Sequence, residues 1–358
     1  MIYLDHAATT PVCDAAKKAV IEAFDYFGNP SSSYEFARES RALIQEARER
    51  IANCINAEPD EIYFTSGGSE ANTWALNGYN TVSTDIEHHS VQTNKTIGVN
   101  RNGVVWTQSF SSINHWINPL VSCMYVNNEI GTIQPIKEIA EFVHNKKMYF
   151  HTDAVQAIGH IPVDVKVLGC DMLSASGHKF GALKGTGFLY IRNGSIEIEP
   201  LINGGKQENG MRPGTENILG IISMAVALED AVEHMEERNK YIKTLRNQML
   251  DKLLQIPGAY LNGSLEHRVA SNINMRFDGV SGSRLVSLCD LYGVCISSGS
   301  ACNEGTLEPS HVLQAIGLTT EEALSSVRIT LGYENTEAEI DVATDIVTKM
   351  VARIRESD

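Results

Sequence analysis

Residues 148–191 read MYFHTDAVQAIGHIPVDVKVLGCDMLSASGHKFGALKGTGFLYI. Three short segments of this stretch, Met148–Thr152, Met172–Ala175 and Gly187–Ile191, are rich in the apolar and β-branched residues that favour strands. Upstream, the same texture recurs at Glu61–Thr65, Thr81–Thr84 and Val121–Val126, and helix-length stretches such as Pro135–Asn145 separate several of the segments. This alternation predicts an α/β domain with a mainly parallel sheet.

The segments on either side of this region have a different sequence pattern. From Pro11 to Ile55 the pattern is helical, and a long helical pattern also runs from Thr215 to Leu254. Beyond it, strand-like segments mix with helices, at Ser271–Phe277, Val294–Ser297 and Val327–Leu331, and the last helix is expected at Thr336–Ile354. We therefore predict a large domain at 13–235 and a smaller α+β domain made of 1–12 and 236–358.

Composition narrows the possible functions. The chain has 358 residues with 43% apolar residues, enough to fill two cores, and a formal net charge of −15. That charge disfavours partners that are bound through bulk positive charge, such as nucleic acids and anionic membranes. No long apolar run suggests a membrane span or a secretion signal, which predicts a cytoplasmic protein. Seven scattered cysteines without a CxxC pair predict neither a disulfide framework nor a metal site.

An anion site is the first candidate. Residues 65–72 read TSGGSEAN and lie between a β-rich segment and an expected helix. Free amides at a helix N-terminus, together with the Ser69 hydroxyl, can bind an anion such as a phosphate. Taken alone, a Gly-Gly turn capped by serine is more often only the turn that joins a strand to a helix.

Two further segments carry groups suited to an aldehyde cofactor with a pyridine ring. Residues 174–179 read SASGHK, and a lysine held against a closed site can form an imine with an aldehyde. A lone lysine is usually a surface residue, but Ser176 and His178 beside Lys179 add phosphate donors and argue against that interpretation here. Residues 149–156 read YFHTDAVQ, where Asp153 could keep a pyridine nitrogen protonated and Gln156 could bind a ring hydroxyl, although an aspartate here could also cap a helix.

The segment 297–306, SSGSACNEGT, places a thiol among small and polar residues. Structural cysteines usually lie in apolar runs, as Cys123 does in VSCMY, so Cys302 is expected to be exposed and able to move. Such a thiol is a candidate nucleophile, provided that the site supplies a base or a positive field.

Taken together in this order, the motifs resemble those of cysteine desulfurases, which are pyridoxal-phosphate enzymes of the aminotransferase class-V, fold type I group. The resemblance spans nearly the whole chain. Its other strings are YLD at 3–5, AATTP at 7–11, FGNPSS at 27–32, EHH at 87–89, VNNEIG at 126–131, RPGTE at 212–216 and SSVR at 325–328. It implies a large domain with a seven-stranded, mainly parallel sheet.

The resemblance also implies a role for each candidate residue. Lys179 would carry pyridoxal 5'-phosphate as a Schiff base and His88 would stack on the ring and move protons. Asp153 would pair with the ring nitrogen and Gln156 with the ring hydroxyl. The remaining implied contacts are Gly68, Ser69, Ser176 and His178 to the phosphate, Thr215 to the phosphate from a second subunit of a homodimer, Asn128 to cofactor and substrate, and Arg328 to the substrate carboxylate.

The implied reaction converts L-cysteine to L-alanine and leaves the sulfur as a persulfide on Cys302. The sulfur would pass to an acceptor protein that the sequence does not identify, for iron–sulfur clusters, tRNA thiolation or a cofactor pathway. Selenocysteine lyase activity is the close alternative. An aminotransferase would leave Cys302 without a role, and a non-catalytic relative would not need Lys179.

One departure from the resemblance concerns the interval between His88 and Asn128, which is shorter than the resemblance implies. Residues Thr93–Arg101 stand where much of a crossover helix is expected. Either a surface helix is trimmed or an edge of the dimer is altered.

Overall fold

The computed structural model describes residues 1–91, 93–106, 119–298 and 308–357. Its α-helices are α1 Asp14–Ala23, α2 Glu35–Ile55, α3 Gly68–Leu76, α4 Ile136–Asn145, α5 Val165–Leu168, α6 Ile218–Glu233, α7 Met235–Leu253, α8 Gly282–Leu291, α9 His311–Ala315, α10 Thr320–Leu324 and α11 Glu337–Ser357. Its strands are β1 Ile2–Tyr3, β2 Ile62–Thr65, β3 Asn80–Thr84, β4 Thr96–Ile97, β5 Pro119–Ser122, β6 Tyr149–Asp153, β7 Met172–Ser176, β8 Gly187–Ile191, β9 Ala259–Leu261, β10 Asn272–Phe277, β11 Val294–Cys295, β12 Ser297–Ser298 and β13 Ser326–Thr330.

The larger sheet has seven strands in the order β2-β8-β7-β6-β5-β3-β4. Within it, β8 alone runs against the others, because it pairs antiparallel with both β2 and β7 while the remaining pairs are parallel. The predicted seven-stranded, mainly parallel sheet is therefore confirmed. Parallel strands align their carboxyl ends along one edge, and ligands of open α/β sheets bind at that edge. Here the edge presents Asp153 at the end of β6 and Ser176 at the end of β7.

Helices cover both faces of this sheet, which explains why its central strands are apolar on both sides. On one face, α1, α2 and α6 contribute to a core that includes Ile51, Phe150 and Phe188. On the other face, α3 packs its fully buried Trp74 against β7 and β8, and the indole Nε1 donates to the Glu199 carbonyl at 2.8 Å. Each such fully buried large apolar side chain contributes about 1.5–3 kcal/mol to folding.

The smaller sheet is antiparallel, with the order β12-β13-β10-β9. It has its own core, to which α7, α8 and α11 contribute residues such as Leu245, Leu285 and Val347. The helical stretch expected from Thr215 to Leu254 is two helices, because the chain leaves helical geometry at His234 (φ −101°, ψ 8°). The predicted domain limits, 13–235 with 1–12 and 236–358, remain a prediction, and this break lies beside the predicted division.

The N-terminal segment connects the two sheets. β1 pairs with β11, Asp5 forms a bridge with Thr330 of β13, and the Leu4 side chain is fully buried. A few residues further on, the Thr10 amide donates to the His178 carbonyl at 3.0 Å, on the large-sheet side. Residues 2–10 therefore lie between the two cores, although they belong to the smaller domain by the sequence prediction.

Several further expectations can be compared with the described residues. β4, which pairs with β3, occupies part of the short interval after His88 where a crossover helix was expected. Six cysteines are free, and they are Cys13, Cys54, Cys123, Cys170, Cys289 and Cys295. In the described part of the chain, no helix is both long enough and apolar enough to cross a membrane.

Candidate active site

A cavity of about 300 Å³ lies at the carboxyl edge of the large sheet, between that sheet and β13 of the smaller one. Ten of the residues predicted from the sequence line it: Gly68, Ser69, His88, Asn128, Asp153, Gln156, Ser176, His178, Lys179 and Arg328. Thr215 is exposed and does not line the cavity of its own chain. Cys302 lies outside the described residues.

Lys179 lies in the wall of this cavity, just beyond β7. A short helical turn at Gly177–Lys179 follows the strand, and a side chain at Gly177 would crowd Ala182, where the Cβ–Cβ distance would be 3.0 Å. Lys179 Nζ donates to the carbonyl oxygens of Ala7 at 2.6 Å and Ala8 at 2.8 Å. These bonds fix the position of Nζ, and they come from the N-terminal segment.

Asp153 is almost fully buried, at 4% exposure, and its two carboxylate oxygens have separate partners. Oδ1 accepts from the Val155 amide at 2.9 Å, and Oδ2 accepts from Asn72 Nδ2 at 2.7 Å. Asn72 Nδ2 also contacts Ser90 Oγ at 2.8 Å. This carboxylate is held rigidly and retains lone pairs toward the cavity, so it can bind a protonated ring nitrogen.

Asn72 is a site residue that the sequence reasoning did not single out, although it ends the quoted TSGGSEAN segment. Its position in the second turn of α3 lets the side chain reach from the anion-binding turn to Asp153. A helical period counted from Gly68 would have suggested that residue 72 shares a face with it.

His88 is oriented by its neighbour Ser90. The Ser90 amide donates to His88 Nδ1 at 3.1 Å, and the Ser90 hydroxyl lies 2.7 Å from the same nitrogen. Burial lowers the pKa of His88, so the ring is neutral near pH 7. Because Nδ1 accepts from a backbone amide, the proton of the neutral ring belongs on Nε2.

The predicted phosphate donors surround the start of α3. Gly67 has φ +153°, and a side chain at Gly68 would lie 2.6 Å from Val155 Cγ2, so both positions require glycine. Ser69 is exposed to the cavity and Ser176 is buried. Burial, with the nearby positive charge of Lys179, lowers the pKa of His178 to about 4. Neutral donors at a helix N-terminus suit a phosphate monoester.

Arg328, on β13, is only 2% exposed. Its Nη2 contacts Asp5 Oδ1 at 2.8 Å and its Nη1 donates to the Asn128 carbonyl at 3.1 Å, while Nε is buried without a partner. It is therefore not a surface arginine. A guanidinium has five N–H groups, so donors remain for a carboxylate on the cavity side.

Gln156 completes the wall next to Lys179. Its Nε2 donates to the Ala7 carbonyl at 3.0 Å, and this carbonyl is also an acceptor for Lys179. This hydrogen bond uses the amide nitrogen of Gln156 and not its amide oxygen. The Ala7 carbonyl thus positions two of the predicted cofactor contacts together.

Comparison with known proteins bears on this arrangement. The sequence matches the family described as Aminotransferase class-V over residues 2–342. The chain belongs to this family. Among class-V aminotransferases, a cysteine desulfurase IscS from Methanosarcina thermophila is 42% identical over 379 aligned positions, covering 99% of this chain and 93% of the relative.

Two further proteins match this member of the class-V family over similar shares of their length. A cysteine desulfurase IscS from Clostridium botulinum is 41% identical, covering 99% of this chain and 95% of the relative. The solved structure of a NifS-like protein from Rickettsia africae is 31% identical, has a TM-score of 0.91, and covers 98% of this chain and 99% of its own. The alignment with the Methanosarcina protein is longer than the 358 residues of this chain, so that relative has residues that this chain lacks.

Proposed function

We propose that this chain is a pyridoxal-phosphate-dependent cysteine desulfurase, which converts L-cysteine to L-alanine and receives the sulfur as a persulfide on Cys302. The observation that carries the proposal is the meeting of Lys179, Asp153, His88 and Arg328 around one cavity. The relatives named cysteine desulfurase, at 41–42% identity over 99% of the chain, support the same reaction. Selenocysteine lyase and aminotransferase activities are not favoured by these relatives.

The polar groups that line the cavity match the phosphate, the ring and the aldehyde of pyridoxal phosphate. The glycine turn at the start of α3, with Ser69, Ser176 and His178, would hold the phosphate, and Asp153 would hold the ring nitrogen. Gln156 would contact the ring hydroxyl and Lys179 would be the point of covalent attachment. When bound, this cofactor supplies an electron sink for the electrons released at the substrate α-carbon.

The chain's own residues would bind and orient the substrate. Arg328, with Asn128 beside it, would hold the carboxylate of cysteine through a charge-assisted pair. Lys179 Nζ, released from the cofactor as a neutral amine, would remove the α-proton, because it lies in the cavity wall and can donate its two N–H groups to the Ala7 and Ala8 carbonyls while its lone pair accepts the proton. His88, neutral and protonated on Nε2, would donate or accept a proton on the face of the cavity that it lines.

The sulfur step is assigned to Cys302. Its thiolate would attack the substrate sulfur, forming an S–S bond as the C–S bond breaks, and the substrate carbon would then be protonated to give alanine. β12 pairs Ser297 with Arg328, so the described residues that precede Cys302 lie beside the proposed carboxylate site. The outer sulfur of the persulfide would pass to an acceptor protein in the cytoplasm, for iron–sulfur cluster assembly or another sulfur pathway.

The test of this function measures alanine and sulfide released from L-cysteine by the purified protein, with and without dithiothreitol. We expect alanine and sulfide in equal amounts with the reductant. Without it we expect about one alanine per active site, followed by a slower phase, because the persulfide is not discharged. Formation of pyruvate and ammonia, or of a keto acid with pyridoxamine phosphate, would assign a different reaction.

The homodimer is part of the same proposal. Thr215 is exposed on a loop that Arg212 ties to α3 of its own chain, through contacts of 2.8 and 3.1 Å with Glu70. The exposed Phe36 ring stacks on Tyr34 and lies at a tilt against Phe27, and the three exposed rings form an apolar patch of the kind that interfaces cover. A second copy of the chain would cover such a patch and receive Thr215 at its phosphate site.

Glu70→Gln is expected to weaken cofactor binding about fivefold to tenfold. Loss of a charge-assisted pair costs about 1–1.5 kcal/mol at such a half-buried site, and the loop that presents Thr215 would be less well held. Glutamine retains an acceptor for the Ser66 amide, which Glu70 binds at 2.8 Å. The measurement is a titration of the apoenzyme with pyridoxal phosphate, followed by absorbance.

Glu58→Gln is the matched control, because Glu58 pairs with Lys166 at 3.0 Å on the exposed surface. Its cofactor affinity should equal that of the parent. Equal affinity in Glu70→Gln would show that the Arg212 contact does not support the phosphate site.

A further inference from the structure

A network of hydrogen bonds joins Asp153 to His88 through Asn72 and Ser90. Asn72 Nδ2 lies 2.7 Å from Asp153 Oδ2 and 2.8 Å from Ser90 Oγ, and Ser90 Oγ lies 2.7 Å from His88 Nδ1. All four residues line the cavity. Asn72 and Ser90 have no part in the reaction proposed above, yet they lie between two of the groups that would contact the cofactor ring.

The direction of the first two hydrogen bonds follows from Asp153. A carboxylate can only accept, so the side-chain amide of Asn72 must turn its nitrogen, and not its oxygen, toward Asp153 Oδ2. With the amide reversed, Asn72 Oδ1 would lie against a carboxylate oxygen and be repelled by it. The same NH2 group has a second hydrogen and no acceptor, so it donates to Ser90 Oγ as well.

This orientation leaves the oxygen of the Asn72 side chain unsatisfied. Asn72 Oδ1 is buried and has no hydrogen-bond partner in the described part of the chain. A buried acceptor without a partner is uncommon in folded proteins and destabilises them. Its presence indicates that the two hydrogens of the Asn72 amide have a function that packing alone does not explain.

The His88 end of the network has a constraint of its own. The Ser90 amide donates to His88 Nδ1 at 3.1 Å, so this nitrogen carries no hydrogen and can only accept. The contact between Ser90 Oγ and His88 Nδ1 is therefore a hydrogen bond that the hydroxyl donates. Because the hydroxyl oxygen accepts from Asn72 at the same time, the two hydrogen bonds polarise and strengthen each other.

We propose that Asn72 is a positioning residue for Asp153 and, through Ser90, for His88, and that the network keeps His88 neutral with its proton on Nε2. A proton on Nδ1 would oppose the Ser90 amide and would take away the acceptor of the Ser90 hydroxyl. Nε2 is then the nitrogen of His88 that can donate or accept a proton. This inference deepens the proposed function, on which it rests for the part that His88 takes in the reaction.

The charges around His88 act beside the network. Burial has the largest effect and lowers the pKa of His88, while the negative charge of Asp153 raises it. Three further groups lower it, and they are His89, Lys179 and His311. Burial raises the pKa of the preceding residue, Glu87, to about 8, so this carboxyl is mostly neutral at pH 7. All of these groups remain in the variants below, so differences between the variants report on the network.

The experiment follows the protonation of His88 by nitrogen NMR of the holoenzyme labelled at histidine, in the absence of substrate. The signal is identified by its loss in His88→Gln. In the parent we expect a neutral ring with its proton on Nε2. Ser90→Ala should raise the pKa of His88 by about 0.5–1 pH unit, because it removes a donor to the neutral ring. Ser90→Thr keeps a hydroxyl and should restore most of the parent value.

Asn72→Leu tests the middle of the network. It should raise the pKa of His88 by itself but add nothing when combined with Ser90→Ala, because both variants break one connected network. Asn72→Ala serves the same purpose if the leucine variant does not fold. Shifts that add in the double variant would show that Asn72 acts on His88 by another route, and would overturn the proposal.

Ser83→Ala is the matched control, because the Ser83 hydroxyl lies 2.8 Å from Thr93 Oγ1 and Ser83 does not line the cavity. It should leave the pKa of His88 unchanged. A proton on Nδ1 in the parent, or an unchanged pKa in Ser90→Ala, would also overturn the proposal. A holoenzyme that gives the expected NMR results but forms no alanine from cysteine would contradict the proposed function and leave the network intact.

Discussion

Lys179→Ala is expected to reduce alanine formation from cysteine by at least about 10³-fold, because the variant loses both the covalent attachment of the cofactor and the base at the α-carbon. The geometry gives Lys179 no substitute among the described residues lining the cavity, where it supplies the single primary amine. The visible absorption of the purified protein should change with the activity. Steady-state alanine release and the absorption spectrum are measured together.

Lys184→Ala is the control for this variant, because Lys184 is exposed only five residues further along the chain. It should keep the activity and the spectrum of the parent. If Lys179→Ala retained more than a tenth of the parent rate, Lys179 would not be the catalytic amine, and the proposed function would fall with it.

Cys302→Ser is expected to abolish sulfide release, by about 10³-fold or more, and to leave cofactor binding intact. A serine hydroxyl in the same place is a far weaker nucleophile toward sulfur, because its oxygen is almost fully protonated at neutral pH. The measurements are sulfide and alanine release, together with labelling of the persulfide by a thiol-reactive reagent. Full activity in Cys302→Ser would exclude the persulfide mechanism and would favour a lyase or an aminotransferase.

Cys295→Ser tests whether this effect is specific to one thiol. Cys295 lies on β11, seven residues before Cys302, and burial raises its pKa, so it is a poor nucleophile at neutral pH. The variant should keep the sulfide release of the parent. Loss of activity in Cys295→Ser with retention in Cys302→Ser would transfer the assignment from one cysteine to the other.

The sequence predicted most of the large sheet because its strands are continuous apolar runs that end in turns. β8 at Gly187–Ile191 lies where it was expected, β6 is shifted by one residue from the predicted Met148–Thr152, and β7 is one residue longer than the predicted Met172–Ala175. The two-residue strands β1 and β4 were not predicted, since they are defined by pairing with other segments rather than by local pattern. The break at His234 was missed because helix-forming residues stand on both sides of it.

The candidate site was predicted in part. Motif residues such as Lys179 and Asp153 lie on one side of the cavity because each follows a neighbouring parallel strand. The contact between Arg328 and Asp5 spans 323 positions, and no local pattern predicts such a pair. Asn72 was missed for a different reason, since an asparagine within a helix has no distinctive sequence signal until its partner Asp153 is located.

The N-terminal segment has a consequence for how the protein is made. Residues 2–10 are synthesised long before their partners in β11 and β13. At about 5–20 residues per second, roughly 15 to 65 s separate the two events. During that time the carbonyls of Ala7 and Ala8 have no folded smaller domain to hold them beside Lys179. A nascent chain of this protein therefore cannot assemble its lysine pocket until β11 and β13 have been synthesised, so the docking of residues 2–10 is a late step of folding.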